Sequence, residues 1–211
     1  MSAVLTPADL GRRVDSAGAR AALQGYCELL QAAGARTNLV GTLESGRIWD
    51  ELLLDAVASW SRLPPDVRTV ADVGSGAGLP GLVWALLARV EGRDLALTLI
   101  EPRAKRVEFL QSAIGHLGLV GVRAVKATVG GYVQRRPAAE AAFDLVTSRA
   151  VFPLSEVVES QQALSGRYQL VHASVEDLAL WQAPAGWREL DRWQYGPAGA
   201  RPRAYVLIVR A

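Results

Sequence analysis

Long apolar stretches are missing from this 211-residue chain, and no run approaches the roughly 18 residues that a transmembrane helix requires. Cysteine is almost missing as well. Cys27 has no partner for a disulfide and lies in an apolar helical pattern, so a buried structural thiol in a reducing compartment is expected. Histidine is confined to His116 and His172, too few and too separated for a metal site, and none is expected. Asp9, Arg12, Arg13 and Asp15 stand where a signal peptide would need an apolar segment, so a cytoplasmic location without membrane association is expected. Lysine occurs only at Lys105 and Lys126, leaving nearly all positive charge on arginine, the cation that pairs with phosphate in bidentate fashion. The formal charge of +2 and the pI near 8.9 permit a nucleic-acid partner without demanding one.

Apolar residues are plentiful, at 50% of the chain, which is ample for a core and argues against disorder. Up to about Ser61 their period is helical. Ala21, Leu23, Tyr26, Cys27, Leu29 and Leu30 form one stripe, stopped by Gly34; Ile48, Trp49, Leu52, Leu53, Ala56, Val57 and Trp60 form another, ending before Pro64-Pro65. From Arg68 strand and helix alternate. Strands are predicted at Val70–Val73, Leu95–Ile100, Val122–Lys126, Leu145–Ser148 and Tyr168–Val171, with helices near Leu79–Val90, Arg103–Leu117, Leu154–Leu164 and Val175–Trp181. Two more strands, Arg188–Gln194 and Ala204–Val209, flank a Gly/Pro-rich turn. That order predicts an α/β fold with a doubly wound, mostly parallel sheet closed by a C-terminal antiparallel hairpin. A helical extension, residues 1–65, is expected to pack on a main domain of residues 66–211.

The most informative segment is Asp72-Val-Gly-Ser-Gly-Ala-Gly-Leu-Pro-Gly81, a glycine-rich turn between a predicted strand and a predicted helix. Glycine tolerates positive φ and keeps no side chain between backbone and ligand, while the helix N-terminus offers free N–H groups. Glu101 follows twenty residues past Gly81, at the end of the next predicted strand, where a carboxylate can accept both hydroxyl protons of a ribose. Gly76, Gly78 and Gly81 match the dinucleotide pattern G-x-G-x-x-G, which alone is weak. Three features favour S-adenosyl-L-methionine over a dinucleotide. Gly74, Gly76 and Gly78 alternate; Asp72 stands two residues earlier, suited to an ammonium and repelling a pyrophosphate; and about 65 residues precede the loop, whereas a dinucleotide fold opens on its first strand. The expected architecture is therefore the Rossmann-like one of S-adenosylmethionine-dependent methyltransferases.

The chain resembles the RsmG (GidB) family of 16S ribosomal RNA guanine-N7 methyltransferases. The resemblance runs from about Thr37 to Tyr168 and rests on Asn38-Leu39, Leu54-Asp55, the loop 72–81, Lys105-Arg106 with Phe109-Leu110, Phe143-Asp144 and Ser148-Arg149-Ala150. It implies a cofactor site made by Asp72, Gly74, Gly76, Gly78, Leu79, Glu101, Val129, Gly130 and Arg149, with the adenine at Val129 and Gly130. It implies ribosomal RNA or the small ribosomal subunit as partner. Arg36, Arg47, Arg149 and Arg167 are the RNA-binding candidates, with Trp49 or Phe152 available for stacking. No catalytic residue is assigned, because guanine N7 carries a lone pair and no proton and its methylation needs no general base.

Departures from the family pattern are concentrated among polar residues. Val40 and Leu43 stand where threonine and arginine are usual, Glu51-Leu52 where Arg-His is, Ala56 for serine, Thr128-Val129-Gly130 for Arg-x-Glu, and His172-Ala173 for Lys-Gly. Losing phosphate-pairing cations lowers RNA affinity and its salt dependence. Two rival readings follow, a divergent methyltransferase with another substrate and a non-catalytic S-adenosylmethionine-binding protein.

Overall fold

The computed structural model describes residues 4–15, 18–34, 39, 41, 44–137, 141–197 and 199–211. A two-residue strand, Val4–Leu5 (β1), precedes helices Pro7–Val14 (α1) and Ala19–Gly34 (α2). Thr6 closes a capping box on α1: its hydroxyl accepts the Asp9 N–H and the Asp9 carboxylate accepts the Thr6 N–H. The apolar stripe of α2 buries Leu23, Tyr26, Cys27 and Leu30, with Ala19 in the place expected of Ala21. Ser45–Ile48 (α3), a π turn at Trp49–Leu53 and Leu54–Trp60 (α4) run on from one another. The wider turn shifts the helix's faces, and everything from Leu53 to Trp60 is buried, Asp55 included.

The alternating region then unfolds as Thr69–Val73 (β2), Gly81–Val90 (α5), Ala96–Glu101 (β3), Ala104–His116 (α6), Val122–Lys126 (β4), Val129–Arg135 (α7), Phe143–Ser148 (β5), Val157–Gln161 (α8), Ser165–Ser174 (β6), Val175–Ala179 (α9), Trp187–Tyr195 (β7) and Arg203–Arg210 (β8). Among the described residues these strands make one sheet in the order β1-β7-β8-β6-β5-β2-β3-β4. Strands β2 to β6 are parallel, β8 is antiparallel to both β6 and β7, and β1 adds parallel to β7. Progress from β2 to β4 goes one way and β5 returns to the other side of β2, so the order reverses between β2 and β5. A crevice outside the carboxyl ends of the strands is expected there.

Two polar residues fix the register at the far end of this pair. The Asp144 carboxylate accepts the N–H groups of Arg68 and Thr69, both at 2.8 Å, and the Asp144 N–H donates to Thr69 Oγ1 at 2.9 Å. A continuous apolar core joins α1, α2 and α4 to one face of the sheet, with Tyr26, Trp84, Trp193, Tyr195 and Tyr205 fully buried in it. Trp84 links α5 to α4 by donating to the Ala56 carbonyl at 3.0 Å and to Ser59 Oγ at 3.2 Å. Packing of this kind outweighs the weak intrinsic preference of short helices such as α4.

Candidate functional site

A cavity of about 450 Å³ opens where the strand order reverses, within the roughly 300–1,000 Å³ common for small-molecule sites. Its floor is the glycine loop, at Gly74 to Ala77, with Leu79; Glu101 and Arg103 close one side, and Arg149 to Val151 the other. Leu39, Gly41 and Leu52 reach over from the N-terminal region.

Gly74 and Gly76 hold φ of 66° and 58°, the left-handed region in which a side chain is strained. At Gly74 a Cβ would collide with the Val151 side chain; at Gly76 it would meet the Arg106 guanidinium at 3.3 Å. The other two glycines of the motif have a different task. A Cβ on Gly78 would strike Leu82, and one on Gly81 would strike Leu99 and the Asp72 carboxylate, so both are required by packing under the loop.

Glu101, at the end of β3, is 2% exposed. Its Oε2 accepts the Gly76 N–H and its Oε1 the Arg103 N–H, each at 3.0 Å, and Arg106 stands 3.8 Å away. An ionised carboxylate has about four lone-pair sites, so two remain for hydroxyl groups in the cavity that Glu101 lines. On the opposite wall Arg149 donates to Asp55 Oδ2 at 2.7 Å. Asp55 is also hydrogen-bonded by the Tyr205 hydroxyl from the middle of β8. Tyr205 stacks on Trp193, with ring centroids 5.2 Å apart, and takes His172 at its edge. Burial drives the Tyr205 hydroxyl well above its ordinary value, and the Asp55 charge adds to it, so that O–H remains a donor.

Several expected site residues lie elsewhere. Asp72 is fully buried and does not line the cavity. Its Oδ2 accepts the first N–H of α5, from Gly81, at 3.1 Å, and its Oδ1 has no hydrogen-bond partner. Burial pushes its carboxyl up to about 7, against the lowering effect of that Gly81 bond. Its position is that of a helix cap beneath the loop rather than of a group facing an ammonium. Gly78 is turned into the core. Val129 and Gly130 are also off the cavity, opening α7 behind the Thr128 cap, whose hydroxyl accepts the Gly131 N–H at 3.1 Å.

The arginines divide similarly. Arg149 lines the cavity, whereas Arg47 pairs with Glu51 one turn along its helix at 2.6 Å. Arg167 is bound by Asp66 and lies over the Tyr168 ring near the start of β6, at the end of the strand away from the cavity. Arg36 lies outside the described residues, as do Asn38, Val40 and Leu43. Trp49 is half-buried against the core with Arg20 over its ring, while Phe152 sits in the loop after β5. Arg103 and Arg106, at the start of α6, line the cavity beside Glu101. Sequence reasoning missed Tyr26 and Tyr205, whose hydroxyls reach the Ala77 carbonyl and Asp55 respectively. Each looked like one more aromatic in an apolar run.

The donor set suits a nucleoside carrying an amino-acid tail. There is a carboxylate with spare acceptor capacity for a ribose, a side-chain-free loop for close backbone approach, and an arginine on the opposite wall. Such a cavity, at the reversal of a parallel sheet whose last strand runs backwards, is the arrangement of the S-adenosylmethionine-dependent methyltransferases, and this chain is one of them. Solved structures agree in fold. M. capricolum TrmK bound to S-adenosyl-homocysteine superposes with a TM-score of 0.56 at 12% identity over 72% of this chain and 66% of that one. TrmN from Thermus thermophilus gives 0.53 at 15% identity, over 75% and 48%.

The sequence comparisons are narrower. The chain belongs to the GidB family, rRNA small subunit methyltransferase G, whose model matches residues 19–174. It is 34% identical to the Ribosomal RNA small subunit methyltransferase G of a Nocardioides strain over 88% of this chain and 70% of the relative. The protein of the same name from Mycobacterium sp. (strain KMS) is 42% identical over 89% and 83%.

Proposed function

We propose that this chain methylates N7 of a guanine in 16S ribosomal RNA, in the cytoplasm, and that Gly74, Gly76, Leu79 and Glu101 hold the methyl donor. The observation that carries the RNA reading is the cationic rim, since Arg103, Arg106 and Arg149 gather around a cavity with one carboxylate among its described lining residues. Guanine N7 offers a lone pair and sheds no proton, so the site needs neither a general base nor a metal to make it nucleophilic.

When bound, S-adenosylmethionine supplies an electrophilic methyl group on a sulfonium. The chain's own residues supply position. Glu101 accepts from the ribose hydroxyls, the bare backbone at Gly74 and Gly76 permits close approach, and the leucines Leu39, Leu52 and Leu79 exclude water from the wall. Holding two reactants in line at near-attack distance accounts for most of the acceleration such a site can provide. Arg103 and Arg106 take RNA phosphates at the mouth.

The test incubates the protein and labelled S-adenosylmethionine with small ribosomal subunits from a strain lacking the gene. Label should enter 16S RNA as 7-methylguanosine at one position. The double variant Arg103→Ala, Arg106→Ala should lower the slope of log affinity against log salt by about 1.5 units. Leu52, which faces the cavity where the family usually has histidine, favours the rival of a cofactor-binding protein with another substrate or none. Tight S-adenosylhomocysteine binding with no label in any subunit RNA would establish that rival and overturn the proposal.

A further inference from the structure

A second, smaller cavity lies on the other side of the loop after β5. It measures about 140 Å³, room for roughly four or five waters at about 30 Å³ each and on the scale of one nucleobase. Ala150 and Val151 line both cavities, which therefore adjoin along that loop. Ala150 holds φ of 55°, the one non-glycine residue with positive φ among those described, and Val151 leans over Gly74 of the cofactor loop. The second cavity opens at the carboxyl ends of β5 and β6, through Ser148, His172 and Ala173.

Its chemistry is uneven in an informative way. Phe152 and Leu154 make part of the wall apolar. Ser148 is 2% exposed and its Oγ is buried without a hydrogen-bond partner, an arrangement that costs free energy unless something else satisfies it. Asp177, exposed at the edge of the lining, places its carboxylate in no hydrogen bond or ion pair among the described residues. His172 is occupied, its Nε2 standing 2.9 Å from Thr147 Oγ1. The cavity thus presents one unpaired hydroxyl and one unpaired carboxylate beside an aromatic ring.

We infer that this cavity receives the guanine that is to be methylated, with Asp177 accepting hydrogen bonds from its N1–H and N2–H₂ and Ser148 Oγ completing the set. The inference rests on the RNA-methylation reading above and assigns its acceptor subsite. Among the four RNA bases, guanine alone carries two adjacent donors on its Watson–Crick edge, and they match the two oxygens of a carboxylate. That edge directed toward Asp177 turns the N7 edge toward Ala150 and Val151, which line both cavities, so that N7 meets the methyl donor at the lip the cavities share. An enzyme that works on a base takes it out of its stack and reads this edge in a close-fitting pocket.

Three proteins test this: wild type, Asp177→Asn and Ala173→Leu. Asp177 is exposed, so its variant should fold, and Leu at 173 takes up space in this cavity from a position that does not line the cofactor cavity. Both variants should bind S-adenosylhomocysteine as wild type does, measured by calorimetry. Their kcat/KM on small ribosomal subunits should fall about tenfold or more, because hydrogen bonds to a charged group are lost or the pocket is blocked. Subunits reconstituted with inosine at the mapped target lack the N2 amino group, and wild type should discriminate against them while Asp177→Asn should discriminate little. Equal kcat/KM for the three proteins, or unchanged discrimination in Asp177→Asn, overturns the subsite and leaves the methylation reading standing. No transfer by wild type overturns both.

Discussion

Glu101 and Asp72 show how a carboxylate takes opposite duties around one loop. Glu101 faces the cavity with two of its acceptor sites in use on Gly76 and Arg103. Glu101→Ala should weaken S-adenosylhomocysteine binding by about 2–4 kcal/mol, since two charge-assisted bonds that partly overlap are lost. Unlike a solvent-exposed strand end, it should also lower the melting temperature of the free protein, because two N–H groups lose their partner. Calorimetry and thermal unfolding on one preparation measure both. Normal melting with weakened binding would mean that the loop keeps its shape without the carboxylate.

Asp72 and His172 make a testable pair in their response to pH. Burial raises the Asp72 carboxyl from 3.8 to about 7, so between those values the folded state holds a proton that the unfolded chain releases, and stability falls as pH rises. Burial lowers His172 from 6.5 to about 4, so across that interval the unfolded chain takes a proton that the folded state refuses, and stability falls as pH drops. The two oppose each other in the wild type. Asp72→Asn should gain stability relative to wild type as pH rises from 4 to 7, by up to about 1.4 kcal/mol per unit. His172→Gln should gain relative to wild type as pH falls from 6.5 to 4. Urea midpoints against pH separate them, and parallel curves for variant and wild type would refute either assignment.

At the level of elements, what could be read from sequence was what periodicity and turn chemistry encode. The strands from β2 to β8 lie within three residues of their expected limits, since most are short apolar runs with a Gly, Pro or Asp near one end or both. The strand β1 was not legible, because two residues carry no period and gain their pairing only from β7. Nor was α7, where Gly130 and Gly131 disguise a helix that Thr128 caps. The predicted helix at Leu154–Leu164 shrinks to α8, with turns taking its ends. The same limits explain the site. The glycine loop and Glu101 are local signals and were found, whereas Arg103 and Arg106 join them only through the packing of α6 beside β3. Tyr26 belongs to that second class, reaching from α2 to the Ala77 carbonyl 51 positions away. Tyr26→Phe leaves that buried acceptor unpaired and should cost about 1–3 kcal/mol of stability. Weaker S-adenosylhomocysteine binding should accompany it, and unchanged affinity would show the loop to be fixed without α2.

Across the whole molecule, the wall of the cofactor cavity depends on residues spread over 150 positions of chain. Arg149 is held by Asp55, and Asp55 by Tyr205. Removing one member of a buried ion pair strands the other, at about 3–5 kcal/mol, so Arg149→Ala should destabilise the fold as well as alter the site. Arg149→Lys keeps the charge and should restore much of the stability. A urea titration of both variants decides whether any loss of activity in Arg149→Ala is chemical or structural.

The strand that carries Tyr205 is the last of the sheet in the sequence, yet β8 lies inside it, between β7 and β6. Ribosomes deliver chains from the N-terminus, so a nascent copy can have its whole glycine loop outside the exit tunnel while β7 still has no neighbour to pair with. A copy that stops short of Arg203 forfeits three strands rather than one, and bares the edge of β6 together with the apolar face that Val206 and Ile208 would have covered. A chain truncated before Arg203 should therefore be cut by protease under conditions that spare the full chain.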